Sequence, residues 1–185
     1  MVDDWLHSID VRRIIGALFI DLKRAFDTVD PPVMLFKLKK KGVSDVALSW
    51  FNSYLTNRKQ HVQVRGTDSL MNDLSLGVPQ RSILFLIYID DIVEVIHNGS
   101  VTMYAEDTTL YVSGTTLNDV QLKLQDDLNA IEKWIRDNRL QLNVDKTKLM
   151  VIGSKQRLNS CKDEPIFIEY NGRPIERCSN IKCLE

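Results

Sequence analysis

The sequence predicts an α+β fold, an antiparallel sheet with helices packed on one face. Three observations predict it. Ile14-Ile15-Gly16-Ala17-Leu18-Phe19-Ile20 is an apolar run that ends abruptly at Asp21, which is how a strand buried on both faces reads. Val101-Thr102-Met103-Tyr104-Ala105 and Thr108-Thr109-Leu110-Tyr111-Val112 are strand-like runs separated by Glu106-Asp107, a hairpin with acids at its tip. Over 119–138, Val120, Leu124, Leu128, Ile131 and Ile135 recur at helical spacing, with Thr116 upstream as a cap. Strands and helices mixed without strict βαβ alternation belong to the α+β class.

The remaining elements follow from punctuation and period. Asp30-Pro31-Pro32 supplies an N-cap and a first-turn proline for a helix over 30–41, and Gly42 stops it. Ser44-Asp45 starts a second helix, whose Ala47, Trp50, Phe51, Tyr54 and Leu55 fall on one stripe. His61-Val62-Gln63-Val64-Arg65 alternates like a half-buried strand. The stretch 82–96 is apolar on most sides, as a buried helix would be, and 148–152 and 165–170 are further strand candidates. A length of 185 residues suits one domain, 1–185, with 1–13 and the polar connection 153–164 expected to be less ordered.

Composition excludes several classes. With 44% hydrophobic and 26% charged residues the chain is neither disordered nor fibrous. A formal net charge of −1, from 24 Lys+Arg against 25 Asp+Glu, argues against an autonomous, strongly cationic nucleic-acid binder. Cys161, Cys178 and Cys183 contain no C-x-x-C pair, and His7, His61 and His97 lie far from them in sequence. They read as free thiols in a reducing compartment rather than a zinc site. The amino terminus is acidic where a signal peptide is basic, and the longest apolar run, at 83–89, falls well short of the ~20 residues of a membrane span. An intracellular chain, in nucleus or cytoplasm and not secreted, is expected.

The chemistry is expected at Asp21 and at Glu106-Asp107. Carboxylates that converge at strand ends hold hard, oxygen-loving cations such as Mg²⁺. Two such ions, roughly 3.5–4 Å apart, activate an attacking hydroxyl and stabilise a leaving pyrophosphate. Taken singly, each acid also reads as a strand end that faces water.

In combination, the flanking residues resemble the reverse transcriptases of LINE-type (non-LTR) retrotransposons. Phe19-Ile20-Asp21-Leu22-Lys23-Arg24-Ala25-Phe26-Asp27 is similar to motif A. Trp50-Phe51-Asn52-Ser53-Tyr54-Leu55-Thr56-Asn57-Arg58-Lys59-Gln60 is similar to the segment between motifs A and B. Gly77-Val78-Pro79-Gln80 with Ser82 resembles motif B, and Tyr104-Ala105-Glu106-Asp107 resembles the Tyr-Ala-Asp-Asp of motif C. Leu142-Asn143-Val144-Asp145-Lys146-Thr147-Lys148 looks like motif D, and Ile181-Lys182-Cys183-Leu184 like a worn motif E.

The resemblance implies a polymerase palm and RNA-directed DNA synthesis by two-metal nucleotidyl transfer. Asp21, Glu106 and Asp107 are then the catalytic metal ligands for two Mg²⁺ or Mn²⁺ ions, with the Leu22 carbonyl a candidate further ligand. Phe26 is implied as the steric gate against a ribose 2′-hydroxyl and Gln80 as a contact to the incoming nucleotide. Lys146 is implied near the triphosphate, able to protonate the leaving pyrophosphate. On their own, Phe26 also reads as core, Gln80 as a polar loop residue and Lys146 as a solvated lysine. The implied partners are an RNA template, a DNA primer and a dNTP.

The sequence departs from the family pattern in several places. Glu106 stands where motif C has its first Asp. The extra methylene moves the carboxylate by about 1.5 Å, and a shift near 1 Å can cost about a hundredfold in rate. Arg81 stands where motif B has a second glycine, at a position that favours close backbone approach. Motif B is also shorter by about four residues, close to one helical turn. The chain starts just before motif A and ends at motif E, so fingers and thumb are expected to be largely absent and this copy impaired or inactive. The alternative is a non-catalytic nucleic-acid or protein interaction remnant of a decayed retrotransposon.

Tyr88-Ile89-Asp90-Asp91 spells the retroviral form of motif C but lies in the apolar stretch after motif B, so Asp90 and Asp91 are assigned to a helix end. The basic clusters Lys37, Lys39, Lys40 and Lys41, Arg58-Lys59, and Lys146, Lys148, Lys155 and Arg157 read as solvated faces or phosphate contacts. Weak, salt-sensitive nucleic-acid binding is the most they suggest.

Overall fold

The computed structural model of the chain describes residues 1–80, 82–104, 107–161 and 164–180. From the amino terminus the elements are α1 (Val2–Asp10), β1 (Ile14–Ile20), α2 (Pro31–Lys40), α3 (Asp45–Leu55), β2 (Arg58–Gln60), β3 (Gln63–Val64), β4 (Thr67–Asp68) and β5 (Asn72–Leu74). They continue with α4 (Ile83–Ile89), β6 (Ser100–Tyr104), β7 (Asp107–Gly114), α5 (Leu117–Asp137) and β8 (Lys148–Ile152). Then come α6 (Lys155–Ser160), β9 (Glu169–Tyr170), β10 (Arg173–Pro174) and β11 (Glu176–Cys178). Short 3-10 turns lie at Ala25–Thr28 and Asp90–Val95. The described residues form two compact units. One holds Met1–Lys23, Ile92–Asp137 and the described residues from Gln141 onward; the other holds those of Arg24–Asp91 together with Asn138–Leu140. No helix among the described residues is long and apolar enough to cross a membrane. Cys161 and Cys178 are free thiols, and Cys183 lies outside the described residues.

In the first unit β1 is the middle of a five-stranded sheet, order β11-β8-β1-β7-β6. It pairs antiparallel with β7 and β8, β6 pairs antiparallel with β7, and only β11 joins in parallel, on β8. An all-apolar strand needs cover on both faces, and Ile14, Ile15, Ala17 and Leu18 are at most 1% exposed. The two-residue period sends Ile14, Gly16, Leu18 and Ile20 to one face, where α5 lies. Gly16 lets it lie close. A Cβ there would sit 2.5 Å from Val120 Cγ1 and 2.6 Å from Leu124 Cδ1. The predicted stripe Val120, Leu124, Leu128, Ile131 and Ile135 is buried throughout, and Thr116 Oγ1 accepts the Asp119 N–H at 3.1 Å as predicted for the cap. On the opposite face α1 sets Trp5 edge-on against Tyr111, ring centroids 5.9 Å apart. The Tyr111 hydroxyl donates to Asp4 at 2.7 Å.

A second device on α5 fixes the hairpin. Asp127, fully buried, accepts the backbone N–H groups of His97 and Asn98, each at 3.0 Å, and so pins the turn that leads into β6. The strand expected over 165–170 is regular only at Glu169–Tyr170. Its upstream backbone is satisfied by glutamine amides of α5 instead of by a neighbouring strand. Phe167 N–H donates to Gln121 Oε1 at 2.9 Å and Glu169 N–H to Gln125 Oε1 at 3.0 Å, while Ile166 and Ile168 are buried.

In the second unit the predicted helices form with the predicted caps: Asp30 accepts the Val33 N–H at 3.1 Å and Ser44 the Ala47 N–H at 3.4 Å. Two expectations differ. The 61–65 stretch is exposed throughout, folding as a small hairpin of β3 and β4 rather than a half-buried strand. On α3 only Leu55 of the predicted stripe is fully buried. Trp50 and Tyr54 are exposed and stack on each other, 5.4 Å apart and 6° from parallel, so part of their apolar area is covered locally.

Gly16→Ala is expected to destabilise the first unit by about 1–3 kcal/mol through overpacking against Val120 and Leu124. Urea unfolding should show a lower midpoint at unchanged slope.

Candidate active site

Asp21 follows directly on the last residue of β1, and Asp107 opens β7. The antiparallel register pairs Ile20 with Thr108. One further step along that register sets Asp21 against Asp107. Directly opposed residues in an antiparallel pair point to the same face. Ile20 and Thr108 are buried and the two acids beside them are half-buried, so strand alternation would carry both carboxylates to the face away from α5. Of the three expected metal ligands, two are therefore brought together by strand pairing alone. Glu106, and with it Ala105, lies outside the described residues, between Tyr104 and Asp107, which pair with each other.

The main chain of Asp21 is held by the turn that follows α5. Its carbonyl accepts the Asn143 N–H at 2.8 Å, and its N–H donates to Thr147 Oγ1 at 3.3 Å. Leu22 bridges to Leu142, and Lys23 N–H donates to the Gln141 carbonyl at 2.8 Å. Lys146 lies in this turn with an exposed side chain, its N–H donating to the Asn143 carbonyl at 3.2 Å. Among the described residues no group of three His, Cys, Asp or Glu side chains is placed to hold a metal ion. Two carboxylates on adjacent strands nevertheless make an all-oxygen donor set, the chemistry a hard divalent cation takes.

In the second unit the structure gathers Phe26 and the Gly77-Val78-Pro79-Gln80 loop. Phe26 sits in the 3-10 turn, half-buried, its ring 4.6 Å from that of Phe85. Its carbonyl accepts the Val78 N–H at 2.8 Å, and the Val29 carbonyl accepts the Gly77 N–H at 2.7 Å. Gly77 has φ +90, and a Cβ there would meet the Asp27 Cα at 3.1 Å and the Phe26 carbonyl at 3.2 Å, so the loop lies flat on the turn only as glycine. Gln80 is exposed at the end of this loop. Arg81 lies outside the described residues.

Most of the cations offered by the sequence are engaged inside the chain. Arg58 donates to the Leu76 carbonyl at 2.8 Å and also to that of Gly77, bracing the loop from outside. Lys59 pairs with Asp73, Lys148 with Glu176, and Arg157 donates to the carbonyls of Arg12 and Thr115. Sequence reading placed Arg58 among surface charges and gave Thr147 no role. A cation three residues past a helix end and a threonine beside a strand carry no signal of what they reach in space.

Tyr88-Ile89-Asp90-Asp91 is the end of α4 and the start of the 3-10 turn, as assigned. Most of its polar groups are engaged within the second unit. Lys37, itself buried, donates to the Tyr88 carbonyl and to Asp91 at 2.7 Å, and Lys41 pairs with Asp90. The Tyr88 hydroxyl donates to the Asn138 carbonyl at 2.7 Å and accepts the Asp30 N–H at 3.4 Å. Asp30, 2% exposed, pairs with Arg139 at 2.6 Å. Burial pushes the Tyr88 hydroxyl up to about 12, and desolvation lowers the Lys37 ammonium despite Asp91.

The pattern that the motifs resemble is met by the comparisons. The family model described as "Reverse transcriptase (RNA-dependent DNA polymerase)" matches residues 7–179, and the chain belongs to that family. It is 28% identical to the RNA-directed DNA polymerase from mobile element jockey of Drosophila melanogaster, over 97% of this chain and 20% of that one. It is 28% identical to the probable RNA-directed DNA polymerase from transposon BS of the same species, over 77% of this chain and 17% of that one. It is 24% identical to the Pol polyprotein from type-1 retrotransposable element R2 of Popillia japonica, over 97% and 32%. The resemblance to non-LTR, LINE-type elements read from the motifs therefore holds. A structure of apo telomerase from Candida tropicalis, truncated from its C-terminal domain, matches with a TM-score of 0.56 at 13% identity, over 83% of this chain and 34% of that one. It bears out the α+β, palm-like fold. The chain spans about a fifth of the length of the jockey polymerase.

The raised Tyr88 hydroxyl has a definite sign. An unfolded tyrosine ionises near 10 and the folded one near 12, so between those values the folded state keeps a proton that the unfolded state has lost. Stability is expected to fall as pH rises from 10 to about 12. Tyr88→Phe should abolish that part of the decline while lowering stability at neutral pH, read as thermal midpoints across the range. Lys37 acts oppositely below 10.5 and does so in both proteins.

Proposed function

We propose that this chain carries the palm of a reverse transcriptase, built for RNA-templated addition of deoxynucleotides to a primer 3′-hydroxyl, and that its activity is impaired. The observation that supports the reading is the β1–β7 register, which ends at Ile20 and Thr108 and leaves Asp21 and Asp107 as the next residue on each of two adjacent strands. These two, with Glu106, would hold Mg²⁺ or Mn²⁺, which when bound lowers the pKa of the attacking hydroxyl and neutralises the leaving pyrophosphate. Phe26 excludes the 2′-hydroxyl, Gln80 touches the incoming nucleotide, and Lys146 supplies a proton to the leaving group. Template RNA, DNA primer and dNTP are the partners, and the nucleus or cytoplasm is where they meet.

Impairment is read from two substitutions in the family pattern. Glu106 lengthens the side chain where Asp would set the ligand, and Arg81 replaces the small residue of the motif B loop. A third acid displaced by about 1 Å is enough to cost about a hundredfold. If the chain instead serves as a non-catalytic interaction remnant, it binds template and primer but incorporates nothing under any metal.

Primer extension on an RNA template, with Mg²⁺ and Mn²⁺ in turn, tests this. The expected result is slow incorporation of one or a few nucleotides, stronger with Mn²⁺, and lost at least about a hundredfold in Asp21→Asn and Asp107→Asn. Processive extension overturns the impairment. Incorporation that survives both Asn variants overturns the site.

A further inference from the structure

Asp21 is the first residue beyond the ladders of β1. The pairing with β7 ends at Ile20 and Thr108, and that with β8 at Phe19 and Lys148. Its backbone N–H and C=O must therefore find partners outside the sheet. Both come from one turn. Asn143 N–H reaches the Asp21 carbonyl at 2.8 Å and Thr147 Oγ1 takes the Asp21 N–H at 3.3 Å, while Thr147 N–H closes the turn on the Asn143 carbonyl at 2.9 Å.

Thr147 is 0% exposed. A valine would fill the same volume, so the position asks for a hydroxyl only because of what the hydroxyl does, and a buried hydroxyl without a partner is costly. The group it reaches is the main chain of the residue whose carboxylate must aim at a cation.

We infer that Thr147 is a positioning residue for Asp21, holding its main chain so that the carboxylate meets a divalent ion; the inference rests on Asp21 being a metal ligand. The Leu142–Thr147 turn then has a task separate from that of Lys146. It holds the aspartate by the two peptide units that flank its Cα. Removing the hydroxyl frees the N–H side and leaves the Asn143 side in place, so the carboxylate should spread over orientations while the sheet stays intact.

The test compares the intact chain with Thr147→Val, Thr147→Ser and Asp21→Asn. Mn²⁺ affinity is read from the electron paramagnetic resonance signal of the free ion, and hydrogen exchange of the Asp21 amide by NMR. Thr147→Val is expected to weaken Mn²⁺ binding by about 3- to 10-fold and to speed the exchange of that amide by a similar factor, the scale of one lost hydrogen bond. Thr147→Ser, which keeps the oxygen, should stay within about twofold of the native chain in both. Unchanged Mn²⁺ affinity in Thr147→Val overturns the inference. So does a threefold or larger loss in Thr147→Ser, which decides the matter even where the valine variant does not fold. If the native chain and Asp21→Asn bind Mn²⁺ equally weakly, the metal assignment of Asp21 fails, and a faster Asp21 amide in Thr147→Val would then mark a purely structural clamp. The two failures are thus distinguishable.

Discussion

Burial of β1 on both faces is the constraint from which the first unit follows. Seven residues without a polar side chain cannot meet water on either side, so β7 and β8 flank the strand and helices cover it. The covering is close because position 16 is glycine. Without that gap α5 would ride higher, and Val120 and Leu124 would lose the contacts that bury them. The strand also ends where its apolar run ends. That places a carboxylate at the sheet's margin, next to the first residue of β7, by strand pairing rather than by any dedicated metal cage.

Within each unit the family motifs act largely as backbone brackets. The motif D turn holds both main-chain groups of Asp21. In the second unit, the motif B loop is fastened to the motif A turn by two backbone hydrogen bonds, with Gly77 permitting the approach and Arg58 bracing it from outside. Sites of this kind depend on precise placement of a few acids, and rigid placement of backbone is the means a small sheet has to provide it. In each unit, most of the described motif residues serve to hold backbone in place.

Tyr88-Ile89-Asp90-Asp91 shows the same letters put to another use. Tyr, Asp and Asp at a hairpin tip present acids to a cation. At a helix end beside Lys37, Lys41 and Asp30 they form a polar network that is buried at Tyr88, Lys37 and Asp30 and open to solvent at the Lys41–Asp90 pair, with the tyrosine hydroxyl shared between Asn138 and Asp30. Buried polar groups need such partners, and once they have them they are committed to packing. The surface lysines tell a similar story. Charges that read as solvated faces or phosphate contacts are mostly engaged by carboxylates or carbonyls of the chain itself.

The sequence by itself determined the class of fold, the helix caps at Asp30, Ser44 and Thr116, the buried face of α5, the hairpin that carries Asp107, and the family. These are local signals: period, capping chemistry and a motif order are written along the chain and need no partner to be read. Tertiary structure alone decided which groups meet across long separations. Thr147 reaches Asp21, Gln121 and Gln125 stand in for a strand beside 167–169, Asp127 holds the turn into β6, and the aromatic stripe of α3 turns partly outward. No spacing rule foretells these, because each depends on how elements far apart in sequence come to rest against one another, and on which buried donor is left needing an acceptor when they do.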